Sequence, residues 1–229
     1  MKVSAIIVAA GSGTRLGLAT PKAFVSIERA SLLLRVLQTI GTLQALGEVV
    51  VAVPAGAQKF ARTEAAVAGL QIPVKITEGG AERQDSVRLA LMLTSAEADL
   101  VVVHDAARPF ATPAMFSTCT AAAAQTGGAV VAIPVADTLK RVERGTIVAT
   151  VPRDGLWQAQ TPQAFRRDLL MQAHERAMRE RITATDDADL FERLGIAVQV
   201  VQGSALNLKI TMPDDLRVGE ALARFASPR

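Results

Sequence analysis

The sequence predicts an α/β fold, an open and mostly parallel doubly wound sheet, and three observations lead to it. Short Val/Ile-rich runs are apolar on both faces, as strands of a parallel sheet covered on both sides must be. Helical patterns separate these runs, which implies right-handed βαβ units. Turn residues bound them. In order, the candidate strands are "VSAIIVA" from Val3, "EVVVAV" from Glu48, "VKIT" from Val74, "DLVVVHD" from Asp99, "GAVVAIPV" from Gly128 and "AVQVV" from Ala197. The candidate helices are "SLLLRVLQTIGTL" from Ser31, "AERQDSVRLALMLT" from Ala81 and "TPAMFSTCTAAAAQ" from Thr112, the last with Thr112 as N-cap and Pro at its first position.

One region breaks this rhythm. In "DTLKRVERGTIVATVPRDGLW", residues 137–157, two alternating polar and apolar runs flank Arg144-Gly145 and predict a β-hairpin. An isolated two-stranded ribbon is marginal in water, so this one is expected to pack as a projecting arm against a second subunit. The rest of residues 1–229 is expected to form one domain, with the arm inserted in it. No internal repeat, disordered linker or like-charge run interrupts the chain.

Composition narrows the function. The chain has 229 residues, half of them hydrophobic, and reaches 24.1 kDa with a sequence pI of about 9.4. Its formal charge of +3 comes from 25 Lys and Arg interleaved with 22 acids, so no basic stripe for nucleic acid emerges. The densest basic stretch, "HERAMRERI" at 174–182, alternates signs at helical spacing and predicts a solvated helix face. One Trp and no Tyr leave no base-stacking platform. Cys119 is the only cysteine, which excludes an intramolecular disulfide and a cysteine metal cluster and fits a reducing compartment. No apolar run reaches the roughly 18 to 20 residues that span a bilayer. The expectation is a cytoplasmic protein with no nucleic-acid or membrane partner.

The stretch "VAAGSGTRLGLATPKAF", Val8 to Phe24, follows the first strand directly. It fails the dinucleotide fingerprint G-x-G-x-x-G, because Gly17 comes one residue late and Pro21-Lys22 stand where a helix should start. It fails the P-loop too, having no Gly-Lys pair. What remains is an irregular glycine loop whose backbone N–H groups can line an anion cavity, with Arg15 and Lys22 as two cations. Taken alone, it can equally be an ordinary connection with two solvated cations. "HDAARP" follows an uninterrupted apolar strand, so Asp105 and Arg108 emerge at the sheet's carboxyl edge, where such folds bind ligands. Asp105 there is suited to Mg²⁺, directly or through water, or else to a buried Asp–Arg pair. His104 is expected to be a packed strand residue.

Beyond these readings, "AAGSGTRLG…PK", "GGAERQDSV", "HDAARP", "DTLKR", "LWQAQTPQAF", "TDDADLFE" and "NLKITMPDDL" occur in the order and spacing of the 2-C-methyl-D-erythritol 4-phosphate cytidylyltransferases, which the chain resembles over nearly its whole length. The resemblance implies a Rossmann-like sheet of the nucleotidyltransferase type, with Mg²⁺ as cofactor and a homodimer formed through the hairpin arm. It implies transfer of CMP from CTP to the phosphate of methylerythritol phosphate, with release of pyrophosphate. Ala9, Ala10, Gly11 and Gly13 would line the nucleotide, and Arg15 and Lys22 would contact the triphosphate and stabilise the transition state. Gly80 and Ser86 would help recognise the cytosine and position the nucleotide. Asp105, with Ala106, would sit by the ribose and the metal. Arg108, Thr138, Thr185 and Lys209 would face the sugar phosphate, and Arg153 and Thr161 would belong to an arm reaching the partner's site. Ala81 departs from the acidic residue frequent after the second glycine, so backbone groups must make the base contacts at that point.

The chemistry this implies needs no general base. A phosphate monoester has a second pKa near 6 and is largely a dianion at pH 7. The obstacle is repulsion between two polyanions, which cations must neutralise. Arg15 and Lys22 on the transferred group, Arg153 and Lys209 on the acceptor, and Mg²⁺ on the triphosphate are the expected sources. Two other readings share parts of the pattern, a ribitol or other pentitol 5-phosphate cytidylyltransferase and a non-catalytic nucleotide-binding module.

Overall fold

The computed structural model describes residues 1–11, 13–18 and 20–226. Along the chain run β1 (Val3–Val8), β2 (Ser26–Ile27), β3 (Ala30–Ser31), α1 (Leu32–Ile40), β4 (Leu46–Val53), α2 (Gln58–Ala68), β5 (Val74–Glu78), α3 (Arg83–Leu91) and β6 (Leu100–Asp105). They are followed by α4 (Pro113–Thr126), β7 (Gly128–Pro134), β8 (Leu139–Glu143), β9 (Thr146–Val151), β10 (Trp157–Arg166), α5 (Arg167–Glu180), α6 (Asp187–Arg193), β11 (Gln199–Gln202) and α7 (Pro213–Ala226). Seven strands form the central sheet in the order β11-β7-β10-β6-β1-β4-β5. All six predicted strands are in it, paired in parallel at β1·β4, β1·β6, β4·β5 and β11·β7.

The pleat sorts the apolar side chains onto two faces. Leu100 and Val102 of β6 join α1, α2 and α4 in one core, whereas Val101 and Val103 join α3, α5 and α6 in the other. This is the doubly wound arrangement, and it explains why the β6 run is apolar at consecutive positions. A third, smaller core joins Leu16 of the glycine loop to Ile27, Leu32, Ile210 and Ala223 of α7. It packs the neighbours of Arg15 and of Lys209 into one cluster, so both cations are carried on anchored backbone. The cap of α4 is as predicted, with the Thr112 hydroxyl accepting from the Met115 N–H at 3.4 Å.

The sheet also contains a strand the sequence did not announce. β10 lies antiparallel between β6 and β7, pairing Gln163 with Val103 on one side and with Val130 on the other. Its glutamines and its internal proline oppose a central-strand reading. Pro162 is tolerated because the ladder to β7 breaks between Ala159 and Gln163, leaving no sheet hydrogen bond for it to remove. The predicted hairpin exists, with Arg144 and Gly145 at φ 47° and 80°, the backbone twist a tight two-residue turn requires. Its strands end at Val151, and Trp157, expected within the arm, already pairs with Pro134 of the main sheet. The sequence passed over α2, α6 and α7. In the basic stretch from 174, Glu175, Arg179 and Glu180 are exposed as expected, but His174 turns inward and is buried.

Candidate active site

The register of β1 and β6 sets Val8 beside Asp105, so the glycine loop and the "HDAARP" segment leave the sheet side by side. Between them, at the carboxyl ends of the strands, lies a cleft of about 400 Å³. Of the predicted residues, Ala9, Ala10, Gly11, Arg15, Lys22, Gly80, Ser86, Asp105, Ala106 and Lys209 line it, together with Ala81, Glu82 and Arg83 at the start of α3.

Two glycine positions are dictated by close approach. Gly13 has φ 70°, and a Cβ there would stand 2.7 Å from the Lys22 Cβ. The bend therefore seats Lys22 directly against the loop. At Gly79 a Cβ would meet the Ala10 Cβ at 2.3 Å and the Ser86 Oγ at 2.6 Å. The Gly80 N–H donates to the Ser86 Oγ at 3.1 Å, and that hydroxyl donates to the Glu82 carbonyl at 3.1 Å. Ser86 thus organises the turn that borders the cleft.

The electrostatics are lopsided. Asp105 is 6 % exposed; burial alone would raise its carboxyl, but Arg83 and then Lys209 overturn this and hold it well below the usual range. The contacts are Arg83 Nε to Oδ1 at 3.0 Å and Lys209 Nζ to Oδ2 at 2.7 Å. Among the described residues neither Arg15 nor Lys22 has a carboxylate within ion-pair distance. Burial, followed by repulsion from Lys209, pushes the Lys22 ammonium down to about 8, with Arg15 adding to it. A cleft that strains to keep its own cation charged is built for an anion.

Behind the cleft the "HDAARP" turn is clamped. His104 is fully buried and driven down to about 4, burial being the main cause, so it is neutral. Its Nε2 faces the Arg108 carbonyl at 3.1 Å and must carry the proton, leaving Nδ1 to accept from the Thr161 hydroxyl at 3.0 Å. The same Thr161 oxygen accepts from the Asp105 N–H at 3.0 Å. His104 is the packed residue expected.

Three expectations change. Thr161 is not in the arm: it is buried in β10 and fixes the end of β6. Arg108 does not reach the cleft lining, because its guanidinium donates to the carbonyls of Asn207 at 2.8 Å and Ala159 at 3.3 Å. The arginine paired with Asp105 is Arg83, not Arg108. Asp105 has both oxygens engaged by these cations, and among the described residues no group of three or more His, Cys, Asp or Glu side chains is arranged to hold a metal. The described side chains therefore form no all-protein cage for Mg²⁺.

Thr138, Arg153 and Thr185 are exposed and lie outside the cleft within one chain. Arg153 donates to the Ala136 carbonyl, bracing the base of the arm. Sequence reasoning assigned no role to Arg83, Asp187 or His174. The first two lie inside quoted motifs, but nothing local reveals that they meet.

The family profile described as "IspD: 2-C-methyl-D-erythritol 4-phosphate cytidylyltransferase" matches residues 3–224. The chain belongs to this family. A 2-C-methyl-D-erythritol 4-phosphate cytidylyltransferase of Deinococcus radiodurans is 49 % identical over 221 residues, covering 96 % of this chain and 89 % of the relative. One from Pelotomaculum thermopropionicum is 41 % identical, covering 100 % and 97 %. Among solved structures, the cytidylyltransferase of Thermus thermophilus superposes with a TM-score of 0.82 at 39 % identity, over 98 % of this chain and 100 % of that one. The mixed seven-stranded sheet whose carboxyl edge carries the cleft is thus an IspD fold. No described helix is long and apolar enough to cross a membrane.

Proposed function

We propose that this IspD-family chain transfers CMP from CTP to 2-C-methyl-D-erythritol 4-phosphate, giving 4-diphosphocytidyl-2-C-methyl-D-erythritol and pyrophosphate. The observation that carries the mechanism is the convergence of Arg15, Lys22 and Lys209 on one cleft. Cys119 is fully buried and its thiol is pushed up to about 12 by that burial, and both nitrogens of His104 are occupied. An acceptor phosphate dianion needs neither. One of its oxygens attacks the α-phosphorus of CTP, the bond to the bridging oxygen breaks, and its electron pair leaves with pyrophosphate.

In this reading the glycine loop cradles the triphosphate with its N–H groups, Gly80 and Ser86 border the base, and Asp105 with Ala106 borders the ribose. Arg15 and Lys22 neutralise charge on the transferred group, while Lys209 faces the acceptor. Positioning the acceptor oxygen in line makes the step effectively unimolecular. Magnesium would arrive with the substrate, as the magnesium complex of CTP, and would supply further neutralisation of the triphosphate charge. Accordingly, Mg²⁺ without nucleotide is expected to leave the melting temperature unchanged, whereas chelation in the complete assay abolishes turnover. A shift in melting temperature with Mg²⁺ alone would instead show a protein-held ion.

The arm is proposed to pack on a second copy, with Thr138 and Arg153 completing the neighbour's acceptor pocket. Half-exposed Val142, Ile147 and Val148 on an otherwise unsupported ribbon favour that reading, and a lone, buried Cys119 fits work in the reducing cytoplasm. A pentitol-phosphate acceptor is not favoured, because relatives up to 49 % identical carry the methylerythritol phosphate name. The test is pyrophosphate release from CTP and Mg²⁺ with methylerythritol 4-phosphate or ribitol 5-phosphate. Release with the first and little with the second is expected; the reverse would overturn the acceptor assignment.

A further inference from the structure

Asp187 lies outside the cleft, is 0 % exposed, and yet is joined to it by charge. Its Oδ2 accepts from Arg83 Nη1 at 2.8 Å, and its Oδ1 faces His174 Nε2 at 3.2 Å. Arg83 in turn donates through Nε to Asp105, whose other oxygen holds Lys209. Four links therefore run from a buried histidine on α5 to a cation in the cleft. The "TDDADLFE" motif divides its labour along this line. Asp186 caps α6 by accepting from the Asp189 N–H at 3.0 Å and is itself pinned by Gln163 Nε2 at 2.8 Å. With the helix start fixed, Asp187 points inward.

The shape of the guanidinium shows what Asp187 does. Arginine most readily grips one carboxylate with two parallel N–H groups. Arg83 does not: it gives Nε to one acid and Nη1 to another, and its Nη2 is buried without a partner among the described residues. The group is stretched across two carboxylates and docked fully on neither. Without a charge at position 187, Nη2 is free to turn onto the second oxygen of Asp105. That oxygen is the one Lys209 uses. Lys209 also stands close enough to Lys22 to weigh on its ammonium, so it needs a counter-charge to stay in place.

We propose that Asp187 is a positioning residue for Lys209, acting through Arg83 and Asp105: by holding one arm of the guanidinium it reserves an Asp105 oxygen for the lysine. The kinetic consequence rests on the reading of Lys209 as an acceptor-side cation. Asp187→Asn should lower kcat/KM for the acceptor by about tenfold or more, as expected for coupled neighbours. In a Lys209→Ala background the same change should cost less than about twofold, because the group it positions is gone. An equal loss in both backgrounds would overturn the proposal, since a merely structural role does not depend on Lys209.

His174→Gln removes the other anchor of Asp187 while keeping its charge, and a smaller loss that also vanishes in Lys209→Ala is expected. No loss, or one that persists, counts against the tether, and this holds even where Asp187→Asn fails to fold. A crystal structure of a ligand-free folded variant separates this idea from the role of Lys209. Arg83 should gain the second Asp105 oxygen and Lys209 should leave it; unmoved side chains would refute the tether whatever Lys209 does in catalysis.

Discussion

The cleft and the hairpin arm show two ways of ordering a short stretch of chain. At the cleft, Asp105 is 6 % exposed, held by two cations, and its backbone is clamped through Thr161 to His104. In the arm, β8 and β9 pair with each other and leave Val142, Ile147 and Val148 between 50 and 61 % exposed. Phosphoryl transfer depends on cations already in place when charge develops, and buried, reciprocally satisfied side chains provide that. A two-stranded ribbon with no core beneath it cannot order itself alone. In the proposed dimer the neighbouring subunit would supply the surface that orders it.

The largest effect that bears on this contrast is expected at the rigid end. Lys22→Ala should lower turnover on the order of 10²-fold or more while CTP binding weakens less, measured as kcat against Kd. An unchanged turnover number would remove the lysine from the transition state. Next comes a test of whether the two regions meet across subunits. Arg153→Ala and Lys22→Ala proteins, each inactive alone, should regain roughly a quarter of wild-type activity on equimolar subunit exchange, one intact site per mixed dimer. No recovery, despite exchange verified by mass spectrometry, would place the whole site within one chain.

A smaller effect concerns pH. The Lys22 ammonium titrates near 8 in the free protein, and a bound triphosphate favours its charged form. Binding is then accompanied by proton uptake, and CTP affinity weakens as pH rises through about 8 toward the higher value in the complex. Calorimetry of CTP binding in buffers of different ionisation heat should show, by difference from a Lys22→Arg protein, proton uptake by Lys22 at pH 8 and almost none by it at pH 6. Equal uptake in a Lys22→Arg protein would assign the proton elsewhere. The smallest effect is expected in the arm. Ile147→Asp, at a site 61 % exposed, should change the chain's own stability by no more than about 0.5 kcal/mol, yet shift light-scattering mass from dimer toward monomer. A dimer unaffected by the charge would move the interface away from the ribbon.

How much of this was legible in the sequence follows from how far each signal reaches. The β6 run is readable because being buried on both faces forces an unbroken apolar string, and the glycine bend is readable because few residues tolerate its backbone. β10 was not readable: Gln160 and Gln163 satisfy specific partners rather than a face, and Pro162 sits where the ladder is already broken. Arg108 illustrates the opposite error. Its place at a strand end pointed to a ligand, but the carbonyl of Asn207, 99 positions away, takes its guanidinium instead.

By itself, then, the order of amino acids determined the parallel strands of the sheet, the cap of α4, the hairpin turn and the presence of two cations around a supple loop, because each rests on neighbours a few residues apart. Tertiary structure alone decided which acid meets which base. Arg83 finds its carboxylates 22 and 104 positions along the chain, and Lys209 reaches Asp105 across another 104. Electrostatic pairing depends on distance in space and on exclusion of water, and local sequence encodes neither.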